Sequence, residues 1–180
     1  MNEELLVELF DGSLNIFLTH ETENILSNVA ERNLCGRLAI YITPKLDEFG
    51  IKGYFADPEY NRKQGGRVKT ILDGEETIIP IQCDLIVHSR GNVVKHDNLI
   101  AIEMKKSTRP EAEKVADRKR LRTMTKDSYD GVWSWEAEVH PEHVCGYLLG
   151  VYVIVNIAER SCQIEYYAHG NLAYERVQRF

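Results

Sequence analysis

Asp84-Leu-Ile-Val-His88, and after a turn Asn98-Leu-Ile-Ala-Ile-Glu103-Met-Lys105, is the stretch that decides the reading of this chain. Both runs are apolar and rich in β-branched residues, both are bounded by polar side chains, and Arg90-Gly91-Asn92 lies between them. That pattern predicts two strands joined by a turn. Successive side chains on a strand point to opposite faces, so Glu103 and Lys105 share one face while Ile102 and Met104 share the other. By the same alternation Gln82, Asp84, Ile86 and His88 lie on one face of the earlier strand. The arrangement fixes one acid on the first strand and an acid with a lysine at the end of the second.

Upstream, residues 77–89 read as a single strand, with Pro80 implying an edge position or a bulge near its start. Asp73-Gly74 reads as a hairpin turn joining it to a strand over residues 67–72. Residues 50–66 are loop-like, broken by Asp57-Pro58 and Gly65-Gly66. Before them, Leu26, Ala30, Leu34, Leu38, Tyr41 and Ile42 recur at helical steps and predict one long helix. It starts after Thr19, with Glu21 and Glu23 in its first turn, and is stopped by Pro44. Glu31 lies one heptad before Leu38 and so borders the apolar stripe. Leu5, Leu6, Leu9 and Phe10 predict a shorter helix ending at Asp11-Gly12.

Downstream, Thr108-Arg-Pro-Glu111 has the form of a capping box opening a helix to about residue 125. Residues 127–143 are irregular and carry Trp133 and Trp135. Residues 144–157 are almost wholly apolar, as expected of a central strand buried on both faces, and residues 161–168 predict a strand paired to it. The order helix, three strands, helix, strand, strand predicts one α/β domain over 1–180, with a core from about 20 to 168 and a mixed central sheet flanked by helices.

The hydrophobic share of 43% and charged share of 28% are those of an ordinary globular protein. The apolar run from Tyr147 to Val155 is far shorter than the roughly 20 residues needed to span a bilayer, which argues against membrane insertion. There is no basic segment leading into an apolar stretch at the N-terminus. The four cysteines have no CxxC pairing and read as reduced core thiols, so a cytoplasmic location is expected. The net charge of -6 argues at first against a nucleic-acid partner. However, seven of the acids fall in residues 1–31, which hold no Lys or Arg. Residues 104–126 carry nine Lys and Arg against three acids. A basic stretch after the Glu103 strand suits a polyanion, and it is equally the pattern of a solvated helix face.

With Asp84, then Glu103-Met104-Lys105 at the end of the next strand, the chain resembles the PD-(D/E)xK nuclease superfamily. That family has the restriction-endonuclease-like fold with an α-β-β-β-α-β core. The resemblance covers roughly residues 31–157, and Glu31 matches the glutamate that members often add from the helix before the sheet. One departure is Cys83 where the family motif has proline, although Pro80 lies nearby. The resemblance implies a metal-dependent endonuclease that hydrolyses DNA phosphodiesters and leaves a 5′-phosphate. Its catalytic residues would be Asp84, Glu103, Lys105 and Glu31, and its metal ligands Asp84, Glu103, the Met104 carbonyl and Glu31.

Elementary chemistry agrees with these roles. Mg²⁺ prefers carboxylate and carbonyl oxygens and keeps several waters, and Mn²⁺ is a common substitute. A lysine on the same face can orient the attacking water and offset charge on phosphoryl oxygens. A Glu-x-Lys pair on a strand is also the ordinary form of a surface ion pair worth about 0–1 kcal/mol. His88 reads either as a phosphate or water contact or as a hydrogen-bonded structural histidine. Lys106 is a candidate phosphate contact. Arg109, Lys114, Arg118, Lys119, Arg120 and Arg122 are candidates to line a nucleic-acid path, although one helix cannot turn all six toward it. Tyr60 to Lys63 and the two tryptophans are further candidates. Two alternatives stay open: a catalytically inactive nuclease-fold module that binds nucleic acid or a protein partner, and an interaction domain docked by the acidic N-terminal helix. Cutting both strands often uses two sites, which leaves a homodimer open.

Overall fold

A computed structural model describes residues 2–58, 70–73, 77–80, 83–93, 96–126 and 146–180, with only the backbone described at 70–73 and 77–80. Helix α1 (Glu3–Leu26) is capped by the Asn2 side chain, which accepts the Leu5 N–H at 2.9 Å. It runs unbroken through Asp11-Gly12, where the sequence predicted a stop. Leu6, Leu9, Phe10, Leu14, Phe17 and Leu18 are all buried on either side of that dipeptide. Burial of each is worth roughly 1.5–3 kcal/mol, against about 1 kcal/mol for a glycine inside a helix. At Gly12 an added Cβ would lie 3.5 Å from Lys45 Cε of the next helix, so the small residue marks where that lysine crosses α1.

Helix α2 (Glu31–Glu48) is separated from α1 by a turn in which Asn28 has a φ of 61°. The stripe predicted as one helix is therefore two, and Leu26 and Ala30 belong to different sides of a turn. Pro44 does not end α2. The backbone bond it cannot make would go to the carbonyl of Ile40, and both residues are on the exposed face, where water can serve. Leu46 and Ile51 beyond it are buried and draw the last turn inward.

The main sheet has the order β1-β4-β5-β6-β7-β8. Its strands are β1 (Phe55–Pro58), β4 (Leu85–His88), β5 (Asn98–Lys106), β6 (Leu149–Asn156), β7 (Ser161–Ala168) and β8 (Asn171–Arg179). Only β5 and β6 are parallel neighbours, joined by α3 (Glu111–Met124). A separate two-stranded sheet pairs β2 (Thr70–Asp73) with β3 (Thr77–Pro80).

Several expectations are corrected here. β1 lies in the stretch read as loop; as an edge strand it tolerates Pro58. The strand predicted over 77–89 is two strands in two sheets, with Asp84 just before β4. The capping box does not form, because α3 begins after Pro110 with no side-chain cap, leaving Thr108 in the preceding turn. β8 was not anticipated: as an exposed edge strand it carries little apolar alternation to betray it.

One face of the sheet packs on α1 and α2, where Ile102, Met104, Val151 and Val153 meet the leucines of both helices. The other face packs on α3, where Ala101, Tyr152, Ile154, Leu121 and Met124 form a second cluster with Cys83 and Ile86. Alternation along β5 then turns Glu103 and Lys105 toward α3. Among the described residues, no helix is long and apolar enough to cross a membrane.

Candidate functional site

The β4–β5 register pairs Leu85 with Ile102, so Asp84, one step earlier, falls beside Glu103. Asp84 Oδ2 accepts the Met104 N–H at 2.9 Å, which fixes the acid against β5. Glu103 is 0% exposed. Its Oε1 accepts a hydrogen bond from Arg120 Nη1, which reaches in from α3. Its Oε2 is buried with no hydrogen-bond partner, and so is Nε of Arg120. The same Nη1 lies 3.1 Å from Asp117 Oδ1. Asp117 Oδ2 lies 3.5 Å from Lys105 Nζ and accepts from the Tyr152 hydroxyl at 3.4 Å. Three carboxylates and two cations are thus gathered between β5, β6 and the inner face of α3.

Burial is the main force on Glu103 and pushes its carboxyl well above the usual range. Asp84 and Asp117 push the same way, while Arg120 opposes them. Burial likewise raises Asp117, against the pull of Lys105 and Arg120. Desolvation works against a charged Lys105, but Asp84, Asp117, Glu103 and Glu31 outweigh it, and its pKa is raised. Lys105 is therefore held as an ammonium that donates hydrogen bonds and does not take protons at neutral pH.

Glu31 opens α2 at the end of β5, where its Oε1 accepts the Lys106 N–H at 2.9 Å. Arg109 grips it through Nε at 3.0 Å and Nη2 at 2.8 Å. Burial would raise its pKa, yet these bonds, with the charges of Arg109 and Lys105, bring it below the usual value. One turn along α2, burial raises the Cys35 thiol, and the charges of Asp84 and Glu103 push the same way. Met104 sends its side chain into the α1–α2 core.

Among the described residues, each nucleic-acid candidate has an intramolecular partner. His88 is 1% exposed, with Nε2 2.9 Å from Asp57 Oδ2; Arg90 holds the same carboxylate. Lys106 Nζ donates to the Asn28 carbonyl at 3.0 Å. Arg109 is on Glu31, Arg118 bridges Glu165 and Glu111, and Arg122 lies over the Tyr167 ring at 5.4 Å. Tyr60 to Lys63, Gln82, Trp133 and Trp135 lie outside the described residues.

Sequence reasoning missed Asp117, Tyr152 and the bond of Arg120 to Glu103. A signal for the first existed: Asp117, Leu121 and Met124 follow a four- and three-residue spacing, which puts an acid on the buried stripe of α3. Tyr152 carried no such mark, since its position opposite Glu103 depends on the β5–β6 register.

Among the described residues, no group of three or more His, Cys, Asp and Glu side chains is assembled to hold a metal ion. The donors nonetheless suit a hard cation, because two carboxylates are adjacent and one buried oxygen is left without a partner. No family model, curated protein or solved structure matches the chain.

Proposed function

We propose that this chain is a metal-dependent nuclease that hydrolyses DNA phosphodiester bonds at the Asp84, Glu103 and Lys105 face of β4 and β5. One observation carries the reading: a fully buried, partly unpartnered Glu103 carboxylate beside Asp84, with the ammonium of Lys105 on the same face. Two adjacent acids in a low-dielectric site are costly unless a cation joins them. The chain order α2, β1, β4, β5, α3, β6 supports the restriction-endonuclease-like reading. So do the antiparallel β1–β4–β5 and the parallel β5–β6. The β2–β3 hairpin then stands as an insertion.

Asp84 and Glu103 would hold Mg²⁺, or Mn²⁺ in its place, with the Met104 carbonyl. When bound, the ion supplies Lewis acidity that makes water nucleophilic at neutral pH. Lys105 orients that water and donates to the phosphoryl oxygens as their charge grows. Asp117 and Tyr152 keep the ammonium in place. Glu31 fixes the end of β5 through the Lys106 N–H; to help hold a second ion it would first have to release Arg109. An open cleft of about 440 Å³ beside Lys106, lined by Asn28, Ser107, Thr108 and Asn156 together with the apolar Val155, Ile157 and Ala158, offers a few polar groups to the phosphate backbone.

The test is plasmid cleavage with and without Mg²⁺ or Mn²⁺. Cleavage is expected to need metal, to vanish in Glu103→Ala and to fall by about 10²–10³-fold in Lys105→Ala; cleavage undiminished by both changes would remove the site assignment. The second reading, a catalytically inactive module of the same fold that binds nucleic acid or a protein partner, is favoured by one observation: Glu103 and Glu31 are both already ion-paired with arginines. Calorimetric Mg²⁺ binding that depends on Asp84 would decide against it.

A further inference from the structure

The contact between Arg120 and Glu103 is made at one point although both groups are built for two. A guanidinium facing a carboxylate squarely donates two parallel hydrogen bonds. Here Nη1 alone reaches Glu103, and it is shared with Asp117 Oδ1 at 3.1 Å. The consequence is an orphan on each side: Arg120 Nε and Glu103 Oε2 are both buried without a partner. An unmade hydrogen bond on a buried charged group is expensive, so the pair is poorly satisfied as a structural ion pair. Geometrically, a positive charge occupies one oxygen of Glu103 while the other is left buried without a partner. Arg120 is 18% exposed on its side chain, against 0% for Glu103, so the guanidinium has a route outward that the carboxylate lacks.

We propose that Arg120 is a built-in counter-cation that competes with the divalent ion for Glu103 and thereby sets the metal affinity of the site. This rests on the metal-dependent reading above. With no divalent ion bound, the guanidinium offsets the charges of Glu103 and Asp117. A divalent ion at the unpartnered oxygen would set two cations against one carboxylate, so its binding drives Arg120 off Glu103, and Asp117, its neighbour on the same helix, keeps hold of it. Because affinity in carboxylate sites follows the net charge of the ligand set, neutralising Arg120 exposes the full negative charge to the incoming ion.

The experiment is calorimetric titration of Mn²⁺ into the full chain as wild type, Arg120→Gln and Arg120→Lys, with thermal midpoints taken with and without the metal. Arg120→Gln is expected to bind Mn²⁺ tighter by about tenfold or more, and to gain more thermal stability from the metal than wild type does. Arg120→Lys is expected to stay close to wild type. If wild type binds Mn²⁺ and Arg120→Gln binds it equally or more weakly, the competition is overturned while the metal site stands. If neither binds Mn²⁺, both fall. Should Arg120→Gln not fold, Mg²⁺ titration of wild type followed through the Arg120 Nε–H resonance decides the matter. A shift that saturates with metal binding supports displacement, and an unchanged resonance at saturating Mg²⁺ refutes it.

Discussion

Arg120 on α3 donates to Glu103 on β5, an ion pair that joins a helix to the middle of the sheet in the interior of the protein. Removal of one partner leaves the other charge buried and unpaired, which typically costs about 3–5 kcal/mol. Arg120→Met is therefore expected to lose stability of that order in urea denaturation without added metal. Glu103→Leu combined with Arg120→Met should recover most of the loss, since well-packed apolar groups often replace a buried pair at no net cost. A single variant as stable as wild type would show that the pair carries no structural burden.

Lys105 is expected to act through its charge. Lys105→Ala should lower cleavage by about 10²–10³-fold, the usual effect of losing one donor to a developing oxyanion. Lys105→Arg should retain part of the activity. Asp117→Asn, which loosens the ammonium without removing it, should fall between the two; rates equal to wild type in both Lys105→Ala and Asp117→Asn would contradict the assigned roles.

Gly150, on the parallel strand β6, has no room for a side chain. A Cβ there would sit 2.9 Å from Thr125 Cγ2 and 3.1 Å from Tyr167 Cβ. Gly150→Ala is expected to destabilise by about 1–3 kcal/mol through overpacking, read as a lower thermal midpoint. Adding Thr125→Ser removes the nearer methyl but keeps the hydroxyl that bonds the Leu121 carbonyl, and should recover part of the loss.

Glu21 ties α1 to α2. It accepts from Arg37, Tyr41 and Asn24, and these bonds, Arg37 first, bring its carboxyl from 4.5 down to about 2. A depressed folded pKa stabilises the protein above the unfolded value and ceases to do so as pH falls through the folded one. Glu21→Gln should thus cost roughly 1–3 kcal/mol near pH 7. The difference from wild type should shrink as pH drops from 4.5 toward 2. A gap that stays constant over that range would mean the carboxylate charge is not what joins the helices.

The sequence by itself determined the strands whose apolar pattern is strong. β5 and β7 lie where alternation and hydrophobic runs put them. β6 (Leu149–Asn156) falls inside the apolar run of 144–157 but starts later than that run suggests, because such patterns are local and mark a strand better than its ends. It also put Glu103 and Lys105 on one face, a consequence of strand geometry alone. Tertiary structure decided the rest. Gly12 and Pro44 look like helix ends, yet buried leucines and phenylalanines on both sides outweigh their local preference. β8 carries no pattern because its faces are largely exposed, and only the ladder with β7 makes it a strand. The partners of Glu103 could not be read along the chain at all. Asp84 comes from an antiparallel register, Tyr152 from a parallel one, and Arg120 and Asp117 from the helix that crosses between β5 and β6. Whether two acids repel in water or share a buried cation depends on which charges the fold packs against them, and that is set by long-range contacts.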